Sequence, residues 1–177
     1  LPTGVWGFDH FPLSAAYART LGMEFLGMTG KFHTTWGEFG GYKHPNALKY
    51  EVSLAAANGA KCSIGDQLHP SGKMDNATYT LIGEAYSYLE SIESWCDRVK
   101  NVADIGVLSS ESVLVTNPDY QTFSRNYPAD IGCTRILLEG KYLFDILDLD
   151  SDFSRYRVLI LPDLIRISPR FAQKLHD

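Results

Sequence analysis

The sequence predicts an α/β protein built on parallel sheet. Three observations carry this. Helical and strand-like patterns alternate along the chain. The helical stretches are punctuated by cap residues. The strand-like runs are short and continuously apolar, as in sheets covered on both faces.

The first helix is expected over "PLSAAYARTLG", with Gly22 just past its end. The apolar run Met23 to Met28 follows as a strand, and Thr29 to Lys43 as a polar, aromatic loop, "TGKFHTTWGEFGGYK". "HPNALKYEVSLAAANG" carries Pro45 in its first turn and Gly59 near its C-terminal cap. Leu48, Val52, Ala55 and Ala56 fall at helical spacing and form its apolar stripe. "AKCSIG" (Ala60 to Gly65) is the next strand, and the loop "GDQLHPSGKMD" begins at its last residue. Asp75 is placed to cap the longest helix, about 76–99. Its expected buried stripe is Leu81, Ala85, Leu89, Ile92 and Cys96. The sequon Asn76-Ala77-Thr78 therefore reads as a helix start rather than a glycosylation site.

The character changes after Val99, which sets a boundary between a unit 1–100 and a unit 101–177. In the second unit Ile105 to Leu108 is a strand, and "DIGCTRILLEGKYLFDIL" (130–147) reads as one helix. "YRVLILPDL" is a second apolar strand, and "ISPRFAQKLHD" starts another helix with Ser168 as cap and Pro169 at its first position. This is the opening β-α-β-α of a doubly wound, Rossmann- or flavodoxin-like domain.

Composition narrows the function. Sixteen basic and 21 acidic residues give a net charge of −5, so nothing suggests a nucleic-acid face. No apolar run approaches the roughly 20 residues of a membrane helix. Cys62, Cys96 and Cys133 are odd in number and far apart, which argues against a disulfide framework or a cysteine zinc site. A reducing, cytoplasmic location fits. The chain opens without an initiator Met and closes on a barely begun helix, so a fragment of a longer protein is expected, with any targeting segment outside it. No G-x-G-x-x-G, Walker or G-x-S-x-G pattern occurs. No cofactor and no metal are expected.

In parallel α/β barrels, chemistry sits on the loops after the strands. The two loops that qualify here are Thr29 to Lys43 and Gly65 to Asp75. The first offers Lys31, His33, Trp36 and Glu38; the second offers Asp66, Gln67, His69 and Lys73. Trp6, Asp9 and His10 form a third cluster. Carboxylates and imidazoles beside aromatic faces suit a sugar. Glycoside hydrolysis classically needs two carboxyl groups about the bond, about 5 to 5.5 Å apart for retention. Glu38 and Asp66 lie on successive loops and are the candidate pair; Trp6, His33, Trp36, Gln67 and His69 are candidate substrate contacts. Each has a plain alternative. Glu38 and Asp66 can serve as loop or turn acids, the histidines as buried donors, and the tryptophans as core aromatics. Asp9 and His10 can cap the first helix, and Lys31 and Lys73 read as solvated.

"LPTGVWGFDHFP", "FLGMTGKFHTTWGEFGGYKHPNALKYE" and "NGAKCSIGDQLHPSGKMD" closely resemble the last barrel segments of a group of glycosyl hydrolases. They are similar to glycoside hydrolase family 151, the α-L-fucosidase group. The resemblance covers roughly residues 1–100 and implies the C-terminal segments of a (β/α)8 TIM barrel. The strands at 23–28 and 60–65 would be its last two and the helix at 76–99 its final one. A full barrel takes about 250 residues, so most of it would lie outside this chain. A domain like the trimerisation domain of family 42 β-galactosidases follows the barrel in that group. The resemblance thus implies a homo-oligomer, with a trimer as the suggested form, acting on a carbohydrate. Glu38 would be the general acid, and Asp66 a second carboxylate or a hydroxyl acceptor.

The leading expectation is a piece of a retaining, exo-acting α-L-fucosidase. A trimeric-type β-galactosidase is one rival, and a non-catalytic carbohydrate-binding or assembly scaffold another. Nucleotide binding by the second unit is disfavoured, because its first strand leads into "SSESVLVTNPD" and not a glycine-rich turn.

Overall fold

The computed structural model describes residues 6–114 and 127–176. The start of the first family-like block and the second part of "SSESVLVTNPD", from Val115 on, lie outside the described residues. The chain forms two compact units, Leu1–Asn101 and Val102–Asp177. Both are mixed α/β with parallel sheet.

The first unit begins with α1 (His10–Ala18), continued by a 3-10 turn (Arg19–Leu21) and ended by Gly22 at φ 68°. Strand β1 is Leu26–Gly30, starting three residues later and ending two later than the apolar run alone suggested. The run's first residues lead up to the strand, and Thr29 and Gly30 complete it. Helix α2 is Pro45–Ala57 and β2 is Lys61–Gly65. The strands pair in parallel, Leu26 opposite Lys61 through Gly30 opposite Gly65. Helix α3 is Asn76–Cys96, capped by Asp75, which accepts from the Ala77 N–H at 3.2 Å.

Packing explains the order. Gly27 lets β1 lie close on α1 and α2: a β-carbon there would be 2.8 Å from Ala55 Cβ and 3.0 Å from the Phe11 ring. Leu48, Val52, Ile82 and Ala85 form the core between α2, α3 and the sheet. Burial of each of Leu48, Val52 and Ile82 is worth about 1.5–3 kcal/mol. The stripe expected on α2 is buried throughout. The stripe on α3 is shifted: Thr78, Ile82 and Ala85 are buried, while Leu81 and Leu89 only flank the core. The opposite face of β1 is bare, with Leu26 and Met28 each about half exposed.

In the second unit β3 is Ile105–Leu108, followed by α4 (Ser110–Leu114) and α5 (Pro128–Glu139). The helix expected over 130–147 stops at Glu139. Strand β4, Phe144–Leu147, occupies its second half and is buried at every position. The break is a Schellman cap: the Tyr142 N–H donates to the Leu137 carbonyl at 2.9 Å and the Lys141 N–H to Leu138 at 3.1 Å. Lys141, at φ 59°, takes the left-handed position usually given to glycine. Strand β5, Val158–Ile160, is shorter than its apolar run, and Val158 is half exposed. The fully buried strand is thus β4, and not the "YRVLILPDL" run. The sheet order is β4-β3-β5, all parallel. Helix α6 (Pro169–His176) starts as expected, with Ser168 Oγ accepting from the Phe171 N–H at 3.2 Å.

None of the helices among the described residues is long and apolar enough to cross a membrane. Cys62, Cys96 and Cys133 are all free.

Candidate functional site

The loops that follow β1 and β2 converge because the strands are neighbours in register. The Lys31 N–H donates to the Gly65 carbonyl at 3.0 Å, extending the ladder one residue into the loops. The Lys43 N–H then donates to the Lys31 carbonyl at 2.7 Å, which pins the two feet of the first loop together. Beneath it lies a buried polar cluster. Lys43 Nζ sits 2.6 Å from Glu51 Oε2 and 2.8 Å from Thr29 Oγ1, and Thr29 Oγ1 donates to the same carboxylate oxygen at 2.5 Å. All three residues are buried. Half-buried Cys62 is held protonated there: burial, and then the charge of Glu51, push its thiol up to about 11.

Contacts cross between the loops along their length. The Trp36 indole covers the end of β2, so that a β-carbon on Gly65 would fall 2.5 Å from its Cζ3. Gly37, at φ 77°, faces Gln67: a β-carbon there would be 3.5 Å from Gln67 Oε1. The Phe39 and His69 rings meet edge-on at 5.5 Å. Tyr42 donates its hydroxyl to Asp75, and Thr78 Oγ1 also donates to Asp75, at 2.8 Å. These bonds, Tyr42's first, lower the Asp75 pKa.

Glu38 is held locally. Its Oε2 accepts from the Thr34 N–H at 2.8 Å and the Thr34 hydroxyl at 3.0 Å. These bonds lower its pKa, with His33 adding a smaller electrostatic pull. Its carboxyl group rests against Gly41, where a β-carbon would be 2.5 Å from Cδ. Asp66 turns onto its own loop and accepts from the Gln67 N–H at 2.7 Å. No hydrogen bond joins the Glu38 and Asp66 carboxylates among the described residues. His69 Nδ1 accepts from the Ser71 N–H at 3.1 Å.

The structure therefore brings Trp36, Gln67 and His69 into one convergent surface, with Glu38 and His33 on the same loop as Trp36. Trp6 stacks on His10 at 4.6 Å by the start of α1, and no ring contact ties it to either loop among the described residues. Asp9 occupies the N-cap position without a side-chain cap bond. Lys31 corrects the sequence expectation: it is 2% exposed. Phe39 and Tyr42 were not singled out from the sequence, nor was Asp75 beyond its capping role. The Tyr42–Asp75 pairing spans 33 residues, and no local pattern announces it.

The α-L-fucosidase isoenzyme 2 of Paenibacillus thiaminolyticus has the same fold at a TM-score of 0.90, with 57% identity over 99% of this chain. This chain belongs to the family of that fucosidase. It spans about a quarter of that protein, 26% of its length. The family resemblance seen in the loop motifs is thus borne out. The fucosidase-family segment is also similar to the β-galactosidase of Bacillus circulans sp. alkalophilus, with a TM-score of 0.74 and 17% identity over 99% of this chain and 29% of that one. A catalytic mutant of the family 42 β-galactosidase Gan42B from G. stearothermophilus gives a TM-score of 0.73 and 18% identity, over 94% of this chain and 27% of that one. At that identity the galactosidases show a shared glycoside-hydrolase-like fold alone. No family model matches the segment, and no curated protein does.

Proposed function

We propose that this segment forms part of a retaining, exo-acting α-L-fucosidase and supplies one wall of its sugar site. The observation that carries this is the 57% identity to a fucosidase across nearly the whole chain. The convergent loops support it, because they offer aromatic faces and carboxylates together at the C-terminal ends of paired parallel strands.

The first unit is read as the last two strands of a (β/α)8 barrel. Its bare β1 face, Leu26 and Met28, suits a barrel interior completed by other strands. The second unit is read as the start of a flavodoxin-like domain of the trimerisation type. Its order β4-β3-β5 places the first strand centrally, as the doubly wound order 2-1-3 requires. Assembly as a homo-oligomer, with a trimer as the favoured form, goes with that reading.

Within the site Trp36 offers a stacking face, and Gln67 and His69 offer hydroxyl partners. Trp6 and His33 remain proposed sugar contacts. Glu38 and Asp66 are the proposed carboxylates. The Thr34 bonds keep Glu38 ionised, which suits a charged role over proton donation, since a general acid needs a raised pKa. Asp66 uses one oxygen locally and presents the other to a sugar hydroxyl.

The test is hydrolysis of nitrophenyl α-L-fucoside and nitrophenyl β-D-galactoside by the full-length protein, with the product anomer followed by NMR. Fucoside turnover with retention is expected. Turnover of the galactoside alone would replace this reading with a β-galactosidase. Binding without turnover of either would leave a carbohydrate-binding scaffold.

A further inference from the structure

Lys31 is an ammonium buried without a carboxylate. It is 2% exposed, and no ion pair includes it among the described residues. Its Nζ donates to the Phe39 carbonyl at 3.0 Å. It also lies 4.6 Å from the centre of the Tyr42 ring and 5.4 Å from that of Phe32. Burying a charge against neutral partners is costly, and cation–π contacts offset only part of it. A methionine of similar length would fill the space at lower cost. The position thus holds a group that does not maximise stability.

Its placement gives the reason. The Lys31 backbone ties the end of β1 to Gly65 on one side and to Lys43 at the foot of the loop on the other. Its side chain reaches forward to Phe39, the residue after Glu38. One residue thus links the framework, the foot of the loop and its crown. The Phe39 carbonyl is fixed by that bond, and the Phe39 ring meets His69 on the opposite loop.

We infer that Lys31 is a positioning residue: its buried ammonium sets the depth of the Phe39–Gly40 peptide, next to Glu38, over the strand ends. This rests on the glycosidase reading only for its kinetic consequence. The conformational consequence stands apart from it.

The experiment compares Lys31→Met and Lys31→Arg with the parent in the full-length chain. Hydrogen exchange of the peptide covering residues 32–43 is followed beside that of α2 and α3. Lys31→Met should speed exchange of the loop amides at least tenfold, leave α2 and α3 protected and leave Tm unchanged or raised. Lys31→Arg should restore part of the loop protection. On nitrophenyl α-L-fucoside, Lys31→Met should lower kcat roughly ten- to a hundredfold, as small misplacements do, with KM moving less. Unchanged exchange over 32–43 overturns the inference. So does loss of protection in α2 and α3 together with the loop, which would make Lys31 a general structural residue. If the parent lacks fucosidase activity but the loop still loosens, the inference stands and the fucosidase reading falls.

Discussion

The indole of Trp36 lies directly over Gly65, close enough that a single added methyl at Gly65 would fall 2.5 Å from Cζ3. The clash is with the far end of a half-exposed side chain, so the indole must move and the fold need not. Gly65→Ala should therefore keep its thermal stability and lose the stacking face. Loss of about 1 kcal/mol of aromatic contact predicts a roughly fivefold rise in KM for the aryl fucoside. Steady-state kinetics beside a thermal melt check it; an unchanged KM would remove Trp36 from the sugar wall.

Glu38→Gln should cost on the order of a hundredfold in turnover, with folding intact, if the carboxylate acts in its ionised form. Gly41→Ala offers a separate route to the same group, because its methyl would occupy the space of the Glu38 carboxyl. It changes neither the charge nor a positive-φ backbone position. A drop in kcat in both variants is expected. Near-normal kcat in both reduces Glu38 to a loop acid that orders Thr34.

Asp75 binds Tyr42 and Thr78 most strongly when ionised, and its pKa is lowered for that reason. Its contribution to stability is complete above the ordinary aspartate value of about 3.9 and fades as the pH falls through the lower folded value. Tyr42→Phe removes the leading cause. The variant should be less stable than the parent at neutral pH, and the gap should close in strongly acid solution. Denaturant unfolding at a series of pH values tests this. A gap that stays constant down to acid pH assigns the loss to packing of the ring.

Lys141 holds the left-handed position of the cap between α5 and β4. A side chain there costs about 1–2 kcal/mol, less the entropy that glycine surrenders on folding. Lys141→Gly should stabilise the second unit by about 0.5–1 kcal/mol, visible as a higher Tm. A lower Tm would show that the exposed lysine contributes something that outweighs the strain.

Local rules made much of the fold readable. Leu48, Val52, Ala55 and Ala56 announced α2 because one helix face is buried over its whole length. Asp75 and Ser168 announced the starts of α3 and α6 by their spacing alone. Strand β4 was hidden because its apolar residues continue the spacing of α5, and a short apolar run has no period of its own. The nearby glycine, Gly140, sits one residue before the left-handed position. At the site, the loops were legible from their place after apolar strands. Lys31 was not, since a lysine in a polar loop is ordinarily solvated and only the Phe32, Phe39 and Tyr42 surroundings bury it. The Tyr42–Asp75 clasp is likewise a long-range event.

The joined feet of the first loop carry a consequence for how this family can diversify. Lys31 and Lys43 are bonded to each other through the backbone, and Lys43 is anchored to Glu51 on α2. The strand register and the helix packing are therefore settled below residues 32–42. Between buried Phe32 and the clasped Tyr42, residues 33–41 can be rewritten by substitution, or lengthened, without disturbing the scaffold that carries them. On the proposed glycosidase reading, new sugar preferences can evolve there as an exchangeable cassette, at little risk to folding.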